Sequence, residues 1–286
     1  DYTESFSKNV VNNFTQMYAQ GLTPNPCVEC NRSVKFDHFI SQAKKLNCDK
    51  VATGHYAKII KKNNEYELHK ADYLDKDQSY VLHMLKSTDL ENISFPLGEI
   101  SKPDVRQIAA RIGLKTAFKK DSQDICFVGK KDYRSFVEKR IDLTSPGEIF
   151  DTEGNKVGDH NGIHKFTVGQ RKGLPGGHGT PRYVTKINVE NKNVTIGEKN
   201  DLLLSSFIVE ELSCVNDLEY KNLTIQTRYN SEDLPCEIKK LSDTKVLVQL
   251  KEPAFGVAPG QFGVIYNGTK VVCGGRISPR VLENVG

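Results

Sequence analysis

Cys27 and Cys30 stand at C-x-x-C spacing within Thr23-Pro24-Asn25-Pro26-Cys27-Val28-Glu29-Cys30-Asn31. The two prolines predict an extended backbone here, with a helix following. A thiol at a helix N-terminus feels the positive end of the helix dipole, which lowers its pKa and favours the thiolate, the form that acts as nucleophile or sulfur carrier. The same spacing also serves zinc and iron–sulfur sites. No second C-x-x-C exists to complete a four-cysteine set. On the motif alone, redox or nucleophilic chemistry and metal binding stand level. A third thiol, Cys126, follows Lys119-Lys120-Asp121-Ser122-Gln123-Asp124 and is flanked by Ile125 and Phe127. That context predicts a loop that presents a thiol. Cys48, Cys214, Cys236 and Cys273 lie in apolar or strand-like surroundings and are expected to be structural.

The background suits such chemistry. Seven widely spread cysteines, an odd number, argue against a disulfide framework and for a reduced, cytoplasmic setting. No apolar run approaches the roughly 20 residues needed to cross a bilayer, so no membrane role is expected. The net charge of +4 is compatible with an anionic partner without demanding one.

The elements that must position the thiols follow from periodicity. Phe36, Phe39, Ile40, Ala43 and Leu46 recur at helical spacing. Lys50–Thr53 reads as a short buried strand ending in a Gly54-His55-Tyr56 turn, and Tyr66–Lys70 alternates like an exposed strand. A helix over Lys102–Ile112 has Ser101 as N-cap, Pro103 just inside and Gly113 as its stop. Strands alternating with helices predict an α/β layer with parallel strands over residues 1–140. Glycine-rich turns then mark a small central domain over residues 141–203, among them Gly147, Gly158, Gly169, Gly176 and Gly177. Over residues 204–286 the chain is almost wholly strand-like. Ser206–Leu212, Leu223–Tyr229, Cys236–Leu241, Lys245–Leu250, Phe262–Asn267 and Lys270–Arg276 predict a small closed β-barrel.

The motifs TPNPCVECN, ATGHYAKI, DKDQSYVL, FPLGEISKPDVRQIA, KDSQDICFVG, FTVGQRKGL and APGQFGVIY occur in that order along nearly the whole chain. As an ordered set they resemble the tRNA-specific 2-thiouridylase family. The resemblance implies an ATP-dependent enzyme, with magnesium, that adenylates C2 of the wobble uridine of tRNA and replaces its oxygen with sulfur. Cys126 matches the persulfide carrier and Cys30 the partner cysteine, while a persulfide donor protein supplies the sulfur. Gly54 matches an ATP-site position. Asn25, Pro26, Cys27 and His55 match the surroundings of the target base, which must leave the stack to react. Lys76, Asp77 and Gln78, with Arg228, Tyr229 and Gln261 in the barrel, match tRNA contacts; Gln170, Arg171 and Lys172 are further candidates.

Two departures qualify that expectation. Some members of the family carry aspartate where Cys27 stands, and with cysteine there Cys27, Cys30 and Cys126 together can be read as ligands of an iron–sulfur cluster with one open site. In addition, the S-G-G-x-D-S loop that holds pyrophosphate in this family is absent from the 286 residues. The family places that loop upstream of Asp1, so the chain alone is expected to bind ATP poorly. The competing classes are an iron–sulfur-dependent RNA sulfurtransferase acting on another base and a non-enzymatic RNA-binding protein.

Overall fold

The computed structural model describes residues 1–119, 125–129, 132–141, 145–175, 180–213 and 221–279. Cys214, Gly176, Gly177 and most of the charged run before Cys126 lie outside them.

The chain opens with one helical rod: α1 (Thr3–Phe6), a π-helical stretch (Ser7–Asn12) and α2 (Asn13–Ala19). A second rod carries the C-x-x-C: α3 (Pro26–Cys30), a π-helical stretch (Asn31–Phe36) and α4 (Asp37–Lys45). This helix begins ten residues before the periodic run, and Pro26 does not keep the chain extended. Its fixed φ suits the first helical position, where its missing N–H costs nothing. Asn25 caps the rod, its Oδ1 accepting from the Cys27 amide at 3.2 Å.

After this rod come β1 (Val51–Ala52), the hairpin β2 (Ala57–Lys62) and β3 (Glu65–Lys70), α5 (Ser79–Leu82), α6 (Ser87–Leu90), β4 (Ile93–Ser94) and α7 (Lys102–Arg111). β1 and β4 pair in parallel, Val51 with Ile93 and Ala52 with Ser94. α7 has the expected ends: the Ser101 hydroxyl accepts from Asp104 N at 3.3 Å, and Gly113 follows at φ 75°. α8 (Tyr133–Glu138) leads into a four-stranded middle sheet of β5 (Gly147–Phe150), β6 (Lys156–His160), β7 (Tyr183–Asn188) and β8 (Asn193–Gly197), in the order β6-β5-β8-β7.

The last unit comprises β9 (Leu203–Glu210), β10 (Leu223–Gln226), β11 (Leu234–Ser242), β12 (Lys245–Phe255), β13 (Phe262–Asn267) and β14 (Lys270–Ile277). It closes through the β13–β14 pairing. Val209, Ile225, Val246, Val248 and Ile265 point inward and are completely buried, as alternation in a half-buried strand requires. The fold is therefore an α/β unit with parallel pairing, a small middle β unit and a β-barrel. Among the described residues no helix is long and apolar enough to cross a membrane.

The barrel is built into the α/β unit. One core cluster joins Val28 and Phe36 of the C-x-x-C rod, Tyr80 and Leu82 of α5, and Phe262, Val264 and Tyr266 of β13. Buried Tyr80 donates from its hydroxyl to the Phe262 carbonyl at 2.8 Å. β3 touches β14 through Lys270 and His69, and Lys70, its ammonium 4.2 Å from the Tyr266 ring centroid, reaches Asp233 at 2.6 Å.

Candidate functional site

The segment before the C-x-x-C is gripped by the barrel. Thr23 N donates to the Pro259 carbonyl at 2.9 Å. The Gln261 amide donates to the Thr23 and Pro24 carbonyls at 3.1 and 3.3 Å. Gly260 sits at φ 89°, and a Cβ there would lie 2.8 Å from both Leu22 Cβ and Thr23 N, so the approach is open only to glycine. Gln261 thus braces the loop that leads to the thiols.

Cys126 comes from a separate turn, far along the chain. Its neighbour Phe127 packs among Phe6, Phe14 and Phe136, at centroid separations of 5.6, 5.3 and 5.2 Å. That anchor ties the Cys126 turn to the first rod and leaves the thiol exposed. Cys27 is also open to solvent, and Cys30 is half-buried.

The three thiols lie within one electrostatic neighbourhood. Burial pushes the Cys27 thiol up, the nearby Cys126 and Cys30 add to that, and Lys35 opposes it. Burial likewise raises Cys30, against Lys35 and with Cys126. The sequence led us to expect the opposite direction. Cys27 is the second and Cys30 the fifth residue of the helix, and burial is the first cause of the rise at both, although Cys27 keeps some exposed surface. Cys27, Cys30, Cys48, Cys126, Cys236 and Cys273 are all free thiols. Cys236 and Cys273 are buried as expected; Cys48 is not. It lies exposed in the turn after α4, where the apolar Leu46 beside it is 72% exposed and offers no cover.

Metal binding can be judged from the donors. Among the described residues, no three His, Cys, Asp or Glu side chains converge closely enough to hold an ion. Cys27, Cys30 and Cys126 share a field without forming such a set.

Sequence reasoning missed Lys35. In an α-helix a residue five positions on lies about 140° round the axis. The wider π turn over Asn31–Phe36 carries Lys35 back toward the face of Cys30. Lys35 is half-buried, has no ion-pair partner among the described residues, and acts on Cys27, Cys30 and His55 together. Only the π-helical register reveals it, since the bare sequence offers one lysine among many. Lys35→Met removes the cation that favours the Cys30 thiolate. It is expected to slow alkylation of Cys30 at pH 7.5 by about threefold, in step with the smaller thiolate fraction. Iodoacetamide labelling read by peptide mass spectrometry checks this, with exposed Cys48 as the unchanged reference.

The remaining candidates divide. Gly54 follows β1 at the exposed carboxyl end of the strand, and a Cβ there would meet only Leu97, at 3.7 Å. Open backbone at a strand end is where α/β sheets receive ligands. His55 packs near Phe36 and Phe95, its Nδ1 2.8 Å from the Thr53 hydroxyl. Burial, with Lys35 adding, lowers its pKa to about 4, so it is neutral at pH 7. Gln78 holds the Tyr56 backbone, accepting from its amide at 3.0 Å and donating to its carbonyl at 2.7 Å. Asp77 is buried, one oxygen accepting from Ala71 N at 2.8 Å and the other from the Ser79 hydroxyl at 2.6 Å. Of that trio, half-buried Lys76 has the side chain best placed to meet a partner in water.

Arg228 and Tyr229 lie exposed at the barrel rim, with the Tyr229 ring 6.2 Å from that of Tyr80. The Asn25 side chain also acts on the Tyr80 hydroxyl, so the rim and the thiol loop both adjoin one buried ring. Arg171 and Lys172 are exposed on the turn that Gln170 closes with its 3.0 Å bond to the Lys172 carbonyl. The preceding Gly169 approaches Gly256, which in turn lies beside the Arg228 guanidinium. A cleft of about 520 Å³ lined by Lys70, Leu74, Asp77, Gln226, Tyr229 and Asp233 opens between the 74–78 segment and this rim.

The sequence matches the tRNA methyl transferase HUP domain over residues 1–130, the tRNA methyl transferase PRC-barrel domain over 134–198 and the aminomethyltransferase beta-barrel domain over 204–277. It is 41% identical over 283 residues to the tRNA-specific 2-thiouridylase MnmA of Chloroflexus aurantiacus, an alignment covering 97% of this chain and 79% of that protein. The protein of the same name from Rickettsia prowazekii is 40% identical over 286 residues, with 98% and 80% covered. That of Natranaerobius thermophilus is 39% identical over 283 residues, with 97% and 77% covered. Identity at that level, sustained from the C-x-x-C rod through the barrel, means that the chain belongs to the tRNA-specific 2-thiouridylase family.

Proposed function

We propose that this protein transfers sulfur to C2 of the wobble uridine of tRNA with Cys126 as the persulfide carrier and Cys30 as its partner, in an ATP-consuming reaction that also needs the pyrophosphate loop absent from these 286 residues. The observation that carries the reading is the gathering of Cys30 and Cys126, from separate elements, into one field beside Lys35. ATP gives its AMP group to the C2 oxygen and releases pyrophosphate, which makes that oxygen a leaving group. The terminal sulfur of the Cys126 persulfide attacks C2 and AMP departs with the oxygen. The Cys30 thiolate then attacks Cys126 Sγ, the C2–S bond stays with the base, and a Cys30–Cys126 disulfide forms. A dithiol reductant resets the pair, and a persulfide donor protein reloads Cys126.

In this reading Gly54 lies against the nucleotide, and Asn25, Pro26, Cys27 and neutral His55 surround the extruded base. Lys76, Arg228 and Tyr229 meet the tRNA: Arg228 suits phosphate and Tyr229 suits stacking. Asp77, Gln78 and Gln261 support that surface from beneath.

Deleting the gene and analysing the nucleosides of bulk tRNA tests the proposal. Wobble 2-thiouridine is expected to disappear and to return with the restored gene, whose purified product releases one AMP and one pyrophosphate per sulfur transferred. Unchanged 2-thiouridine in the deletion strain, or transfer without ATP, rules it out.

A further inference from the structure

Glu29 lies between the two cysteines of the C-x-x-C, yet it is only 4% exposed. One of its oxygens accepts from Arg32 Nη2 at 2.7 Å, on the same rod. The other accepts from Arg276 Nη2 at 2.8 Å, on β14 of the barrel. Arg276 is fixed in turn: Nη1 donates to the Gly260 carbonyl at 3.3 Å, Nε faces Glu211 at 3.4 Å, and the guanidinium carbon lies 4.9 Å from the Phe262 ring centroid.

A buried ion pair adds little net stability, because desolvation offsets most of its attraction. Its directional bonds, however, fix geometry. Glu29 shares one helical turn with Cys27 and Cys30, so holding its carboxylate from outside the helix sets the rotation of that turn and hence where both thiols point. We propose that Arg276 and Glu29 are positioning residues for the sulfur chemistry, through which the barrel sets the orientation of Cys30. The assignment rests on the reading of Cys30 as a reacting thiol.

Site-resolved alkylation of the folded protein tests the clamp and reads thiol placement whether or not sulfur is transferred. In Arg276→Met and in the isosteric Glu29→Gln, the Cys30-to-Cys27 rate ratio is expected to rise at least threefold as half-buried Cys30 turns outward. The double variant is expected to match either single one, because the two residues act through one contact, and Arg276→Lys to retain most of the wild-type ratio. Exposed Cys48 and buried Cys236 and Cys273 should keep their rates, which separates local rotation from general loosening. A ratio unchanged in both single variants, or effects that simply add in the double variant, overturns the assignment. Failure of the sulfur-transfer reading would instead appear as 2-thiouridine made normally without Cys30.

Discussion

Cys126→Ser is expected to abolish 2-thiouridine formation, by on the order of a thousandfold or more, as loss of a covalent carrier does. A serine hydroxyl cannot hold a persulfide, and no other thiol is presented by the Phe127-anchored turn. Cys30→Ser should fail at a different step. Without a thiolate to attack Cys126 Sγ, the base stays joined to the protein as C2–S–S–Cys126. That variant is therefore expected to accumulate tRNA covalently bound and released by dithiothreitol, whereas Cys126→Ser traps none. Denaturing gels of labelled tRNA with and without reductant distinguish the two. Wild-type thiolation levels in either variant would sink the persulfide route.

The second large effect is on stability in acid. His83 is fully enclosed, with Nδ1 donating to the Tyr80 carbonyl at 2.7 Å and Nε2 without a partner. Burial is the main cause that lowers its pKa to about 4, with Arg32 and Arg276 adding to it. His55 is held at about 4 for the same first reason. Both are neutral in the folded protein, whereas the unfolded chain protonates them near pH 6.5. The unfolded state therefore binds more protons between pH 6.5 and 4, and their contribution, complete above 6.5, is lost as the pH falls through that window. Each histidine is expected to account for up to about 3 kcal/mol of the loss. Urea unfolding at pH 7, 6, 5 and 4.5 measures it, and His83→Gln should flatten the profile. A wild-type midpoint that does not move between pH 7 and 4.5 would refute this account.

Much of the architecture was legible in the sequence because it rests on local rules. Alternation in Val246, Val248 and Leu250 marks a half-buried strand, and Ser101, Pro103 and Gly113 bracket a helix by capping chemistry. Where the reading failed, capping, burial or its absence decided the outcome, and residue type alone does not announce these. Pro26 opens the C-x-x-C helix once Asn25 caps it. Asp77 looks like a surface charge in Lys76-Asp77-Gln78, but its short side chain reaches buried backbone amides. Cys48 looks structural, but nothing folds over it. The site was legible as a set of thiols; its electrostatics were not. The direction of the Cys27 and Cys30 shifts depends on burial by tertiary packing, and the influence of Lys35 depends on a π-helical register that no local motif announces.

The bond between Glu29 and Arg276 spans 247 positions of the chain. On the ribosome the cysteine rod emerges long before the strand that fixes its rotation. Throughout that interval the rod lacks its contact with Arg276. If the clamp acts as proposed, the final placement of Cys30 is a late step of biogenesis, reached when β14 closes the barrel and Arg276 meets Glu29. A polypeptide stalled before that strand would carry Cys27, Cys30 and Cys126 and still lack the clamp.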